Sequence, residues 1–123
     1  MKNESENFSI IDKGLTVNGE ISTDGKLIVK GTVKGKLTGE TVIIAKEGSV
    51  QADTKVGTMT VGGKFEGEVR AMNELIILST GNCSGKVACK DLVVEAGGIL
   101  NAEVISLKIQ DSKSGEEFSL SFG

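Results

Sequence analysis

Leu27-Ile-Val-Lys-Gly-Thr-Val-Lys-Gly-Lys-Leu37 carries an apolar or glycine residue at every second position: Leu27, Val29, Gly31, Val33, Gly35 and Leu37. Period two is the pattern of a β-strand with one buried face. The phrase returns as Val42, Ile44, Gly48, Val50, Ala52, and again as Met59, Val61, Gly63, Phe65, Gly67, Val69. Two further copies are Leu75, Ile77, Gly81, Cys83, Gly85, Val87 and Leu92, Val94, Gly98, Leu100, Ala102, Val104. Their first positions lie 15, 17, 16 and 17 residues apart, a variation that a turn insertion at one corner produces.

Aligned as columns, the copies hold aliphatic side chains or methionine at the first two positions and glycine at the third in all five copies. The fourth holds Val33, Val50, Phe65, Cys83 and Leu100; the fifth only glycine or alanine. A repeat of about 16 residues is too short for a pair of helices or a four-stranded propeller blade, and fits one coil of a β-helix. Glycine, valine, isoleucine and threonine at spacing two also argue against helix. One coil cannot bury its inward residues; coils stacked about 4.8 Å apart build a continuous column and satisfy one another's backbone groups. Glycine in such a column marks a corner where a side chain would collide or where φ must be positive.

The expected fold is therefore all-β: a single-stranded parallel β-helix, or β-solenoid, of about six rungs, right-handed by the bias of parallel crossovers. Three short strands per coil suggest a roughly triangular section. Leu15, Val17, Gly19 and Ile21, and a fragment around Leu107 and Ile109, read as incomplete rungs at the two ends. Residues 1–9 are expected to form a flexible tail, 10–109 the β-helix, and 110–123 a flexible tail or a cap.

At 123 residues the chain is one domain. With 14 basic and 17 acidic residues its net charge is −3, of the wrong sign for a nucleic-acid groove, so no nucleic-acid partner is expected. Tryptophan, tyrosine and histidine are absent, which removes stacking platforms, the commonest general base and the commonest metal ligand. Gly62-Gly63 and Gly97-Gly98 lack the lysine-threonine pair of a phosphate loop. Glu66 and Glu68 share an outward face with no pocket to tune them. The chain reads as no enzyme and as needing no cofactor. The polar start Met-Lys-Asn-Glu-Ser-Glu-Asn and the lack of any apolar run near 18 residues argue for a cytoplasmic protein without an export signal. Cys83 and Cys89 are then reduced, small, buried hydrophobes.

The runs Leu27 to Leu37, Val61-Gly-Gly-Lys-Phe-Glu-Gly-Glu-Val69 and Leu92-Val-Val-Glu-Ala-Gly-Gly-Ile-Leu100 resemble the bactofilin domain of bacterial polymer-forming cytoskeletal proteins, over roughly Ile10 to Ile109. That resemblance implies a right-handed β-helix that polymerises end to end without nucleotide and without overall polarity, in the cytoplasm, often at the inner face of the membrane. It further implies roles in cell shape, in the placement of other proteins and in recruiting cell-wall synthesis or hydrolysis factors. The chain departs from the pattern in its polar first seven residues and its lack of proline, where many members carry an apolar membrane-targeting peptide and proline-rich flanks.

A parallel stack leaves unpaired backbone groups on its first and last strands, a template for another chain. Candidates for the polymer contact are Ile10, Ile11, Leu15 and Val17 at one end, and Ile105, Leu107 and Ile109 at the other. Phe118 and Phe122, in the alternating phrase Phe118-Ser-Leu-Ser-Phe-Gly, would fold back as a cap or add to a neighbour's edge. Lys26, Lys30, Lys34 and Lys36 crowd one rung beside Glu40, a solvated face or a weak attraction to anionic lipid. Three competing readings differ in pattern. An acyltransferase-like β-helix wants strict hexapeptide coils and a histidine. An ice- or carbohydrate-binding solenoid wants a flat Thr-x-Thr or aromatic face, and the outward positions read as mixed Lys, Glu, Thr and Ser. A non-polymerising solenoid that binds a carbohydrate or protein ligand is the main alternative.

Overall fold

The computed structural model describes residues 8–107 and the backbone of residues 117–121. The chain winds through about six coils, each adding one strand to each of two parallel ladders. The first ladder stacks β1 (Phe8–Ile11), β3 (Lys26–Val29) and β5 (Thr41–Ile44), then the last residues of β6 (Ser49–Val61), β7 (Lys64–Ile77) and β8 (Asn82–Val94). The second stacks β2 (Thr16–Ser22) and β4 (Thr32–Thr38), the first residues of β6, β7 and β8, and finally β9 (Ile99–Ser106).

The sequence columns are the register of these ladders. Leu27 stands beside Val42, Val42 beside Met59, Met59 beside Leu75 and Leu75 beside Leu92. Val33, Val50, Phe65, Cys83 and Leu100 form a second inward file, fully buried. Each aliphatic side chain so enclosed stabilises the fold by about 1.5–3 kcal/mol relative to exposure. The six coils therefore share one core from Ile11 to Val104.

The third-column glycines are places where two coils touch backbone to backbone. The N–H that follows each donates to the carbonyl of the glycine one coil earlier: Ser49 to Gly31 at 2.9 Å, Asn82 to Gly63 at 2.8 Å, Ile99 to Gly81 at 3.0 Å. A β-carbon on Gly48 or Gly81 would fall on the carbonyl of Val29 or Val61. The fifth column meets the other requirement. Gly19, Gly35, Gly67 and Gly85 lie at φ between +117° and +132°, a region that side chains strain.

The structure adds two details to the expected coil. The second and third segments run on as one strand, since Thr32–Thr38 keeps its ladder register through the bend at Gly35. The first rung is also complete: Phe8–Ile11 pairs with Lys26–Val29, so the solenoid starts within the segment expected to be a tail. At the far end β10 (Glu117–Ser121) lies antiparallel on β9, with Phe118 in register with Val104 and Leu120 with Ala102.

Candidate assembly surfaces

The first coil has a covered and an open side. Among the described residues β1 pairs only with β3, and β2 only with β4, so one edge of each meets no strand. Phe8 is 56 % exposed, and Ile10 and Leu15 are each 48 % exposed. Ile11 belongs instead to the core, and Val17 is half-buried against it. Leu15 occupies the glycine column: Thr32 N–H donates to its carbonyl at 3.0 Å, as Ser49 does to Gly31 one coil on. A side chain fits there because the described residues place no coil beneath it.

At the other end Ile105 and Leu107 are half-buried. Ile105 stands in register with Glu117, and Leu107 N–H donates to the Cys89 carbonyl at 2.8 Å. The β9 edge over Asn101 to Ile105 is thus occupied by the chain's own β10. Phe118 is placed by its backbone in that strand, whereas Ile109 and Phe122 lie outside the described residues. Sequence reading missed Phe8, whose signal was the offset of 18 residues between Phe8-Ser-Ile-Ile11 and Lys26-Leu-Ile-Val29.

The remaining chemistry is sparse. Cys83 and Cys89 are free and buried. Burial, with a smaller contribution from Cys89, pushes the Cys83 thiol up to about 12; burial and then Asp91 push Cys89 to about 11. Neither is an activated nucleophile. A shallow open groove is lined by Glu20, Lys36, Asp53, Glu68 and Lys86. Register sets Glu20 beside Lys36, Lys36 beside Asp53, and Glu68 beside Lys86, so opposite charges neighbour one another along it. Lys26, Lys34 and Lys36 are exposed, and Lys30 is half-buried in the turn after β3, its N–H donating to the Ile11 carbonyl at 2.7 Å. Among the described residues no three His, Cys, Asp or Glu side chains converge on a metal position, and no helix is long and apolar enough to cross a membrane.

The described residues thus form a parallel solenoid with a glycine file between its ladders and an exposed apolar first coil. The family model for bactofilins, described as polymer-forming cytoskeletal, matches residues 9–105. The chain belongs to the bactofilin family, whose members are structural and not enzymatic. It is 25 % identical over 97 residues to bactofilin BacO of Myxococcus xanthus (strain DK1622), covering 78 % of this chain and 77 % of that one. To bactofilin BacP of the same organism it is 24 % identical over 97 residues, covering 78 % of this chain but 40 % of BacP. No solved structure matches the chain.

Proposed function

We propose that the chain is a scaffold whose right-handed coils, of roughly triangular section, join end to end into nucleotide-independent, non-polar filaments. These lie in the cytoplasm, in part at the inner face of the cytoplasmic membrane, where they support cell shape or localise cell-envelope proteins such as cell-wall synthesis or hydrolysis factors. The observation that carries the end-to-end reading is the first coil, where unpartnered strand edges coincide with exposed Phe8, Ile10 and Leu15. Backbone pairing and apolar burial both favour a second copy there.

Leu15 supports the absence of polarity. Were a second copy's last coil stacked beneath in the same register, Leu15 would take a place that glycine holds wherever one coil covers another. Two first coils meeting each other avoid that superposition. Ile105, Leu107 and Ile109 then belong to the joint at the opposite end, and the segment carrying Phe118 and Phe122 folds back as its cap.

Electron microscopy and sedimentation of the purified chain test this reading. Filaments are expected without nucleotide or metal and in high salt, because the contact is apolar. Leu15→Lys, at a position outside the outward face of the first ladder, is expected to leave far-UV circular dichroism unchanged and abolish the pelleted polymer. A wild-type chain that stays monomeric across salt and concentration sinks the proposal.

A further inference from the structure

Of the two outward files of the first ladder, one is mixed as sequence reading expects, and the other is β-branched from end to end and apolar except at Thr60. Ile10, Ile28, Ile43, Thr60, Ile76 and Val93 stand beside one another in register on successive coils. Each coil's flanking residues point the other way: Leu27 and Val29, or Leu75 and Ile77, are buried in the core, so the residue between them faces out. Ile10 and Val93 are exposed and the four between are half-buried. The result is a β-branched ridge reaching both end coils.

We infer that this ridge is the lateral contact of the polymer, its occupant the same ridge of a second copy running in the opposite direction. Charge selects both partner and direction. The file beside the ridge carries Phe8 on the first coil, Lys26 on the second, Thr41 and Thr58 on the middle two, Glu74 on the fifth and Asp91 on the sixth, so its one cation lies at one end and its two carboxylates at the other. A two-fold axis between the third and fourth coils, parallel to the strands, sets Ile28 of each copy against the other's Ile76 and Lys26 against the other's Glu74. Side-by-side packing in the same direction would bring the second coils, with Lys26 and Lys30, together and set like charges against each other.

Size explains why the contact belongs to a filament. Six coils at about 4.8 Å and four residues of strand present roughly 400 Å², about half of what each partner of a stable complex buries. One pair of subunits therefore holds weakly. Because the ridge reaches the first and last coils, end-to-end joining makes it continuous, and many weak contacts act as one. The inference rests on the end-to-end reading above.

Electron microscopy separates the two. Wild-type filaments are expected to run in pairs or bundles, and Ile43→Lys to give single filaments with an unchanged pelleted fraction at high centrifugal force. Lys26→Glu is expected to disperse bundles, and Lys26→Glu combined with Glu74→Lys to restore them, which a merely structural role for either residue would not do. Bundles that survive Ile43→Lys, or wild-type filaments that never pair, overturn the lateral contact alone. No filaments at all overturns it together with the end-to-end reading. If Ile43→Lys instead abolishes co-sedimentation with phosphatidylglycerol vesicles while bundles persist, the ridge is a lipid surface and the inference fails.

Discussion

The carbonyl of Gly19 occupies the place that a β-carbon on Gly35 would need. Both glycines have positive φ, +132° and +123°, yet nothing lies within 4 Å of a β-carbon built on Gly19. Gly19→Ala therefore suffers backbone strain alone, about 1–3 kcal/mol. Gly35→Ala adds a steric conflict with the coil below and is expected to lose distinctly more stability. Thermal unfolding of the two variants checks this, and equal losses would refute the role of the stacked carbonyl.

Thr54 sits in an inward file between Leu37 and Val69, 5 % exposed, and its hydroxyl has no hydrogen-bond partner. A buried unsatisfied polar group costs about 1–3 kcal/mol. Thr54→Val keeps the shape and removes the hydroxyl, so a stability gain of about 1 kcal/mol is expected from urea unfolding. A loss would mean that the hydroxyl is satisfied in solution.

With thiols raised to about 12 and about 11, Cys83 is thiolate in ~1 molecule in 10,000 at pH 8 and Cys89 in ~1 in 1,000. Alkylation by iodoacetamide at pH 8 is expected only on the timescale of unfolding. The native state holds these protons more tightly than the unfolded chain, whose thiols have the ordinary value 9.0. Their contribution is complete below pH 9 and is lost as pH climbs towards 11 and then 12. Replacing both by alanine should flatten the alkaline limb of stability against pH.

Ending the chain at Gln110 removes β10 and bares the β9 edge from Asn101 to Ile105. A free strand edge recruits further strands, so a larger pelleted fraction is expected than for the full chain. A smaller one would place β10 inside the joint between subunits.

The core was legible because its inward positions from Leu27 onward are apolar or glycine with the exception of Thr54, and the spacings read from sequence are the offsets of the first ladder. β1 was hidden by Ser9, a polar residue at the inward position beside Leu27. The outer ridge was hidden for the opposite reason. Ile28, Ile43 and Ile76 lie between buried neighbours, and runs such as Leu27-Ile-Val29 read as one apolar stretch with no inside or outside. In Phe118-Ser-Leu-Ser-Phe, alternation marks a strand, but period two carries no direction, so antiparallel placement on β9 could not be read from it. Assembly surfaces depend on which edges stay open, a property of the folded stack and not of any one repeat.

The second ladder has one flaw. Gln51 pairs with Glu66 and Thr54 with Val69, but the pairs between them, Ala52 with Gly67 and Asp53 with Glu68, are missing. In an end-to-end fibre of the kind proposed above, pulled along its length, the bonds between coils would bear the tension, since they would run parallel to the pull. Yielding would begin at this gap, near the middle of each subunit, and the covalent thread there would pay out slack like a loosened spring before the fibre breaks.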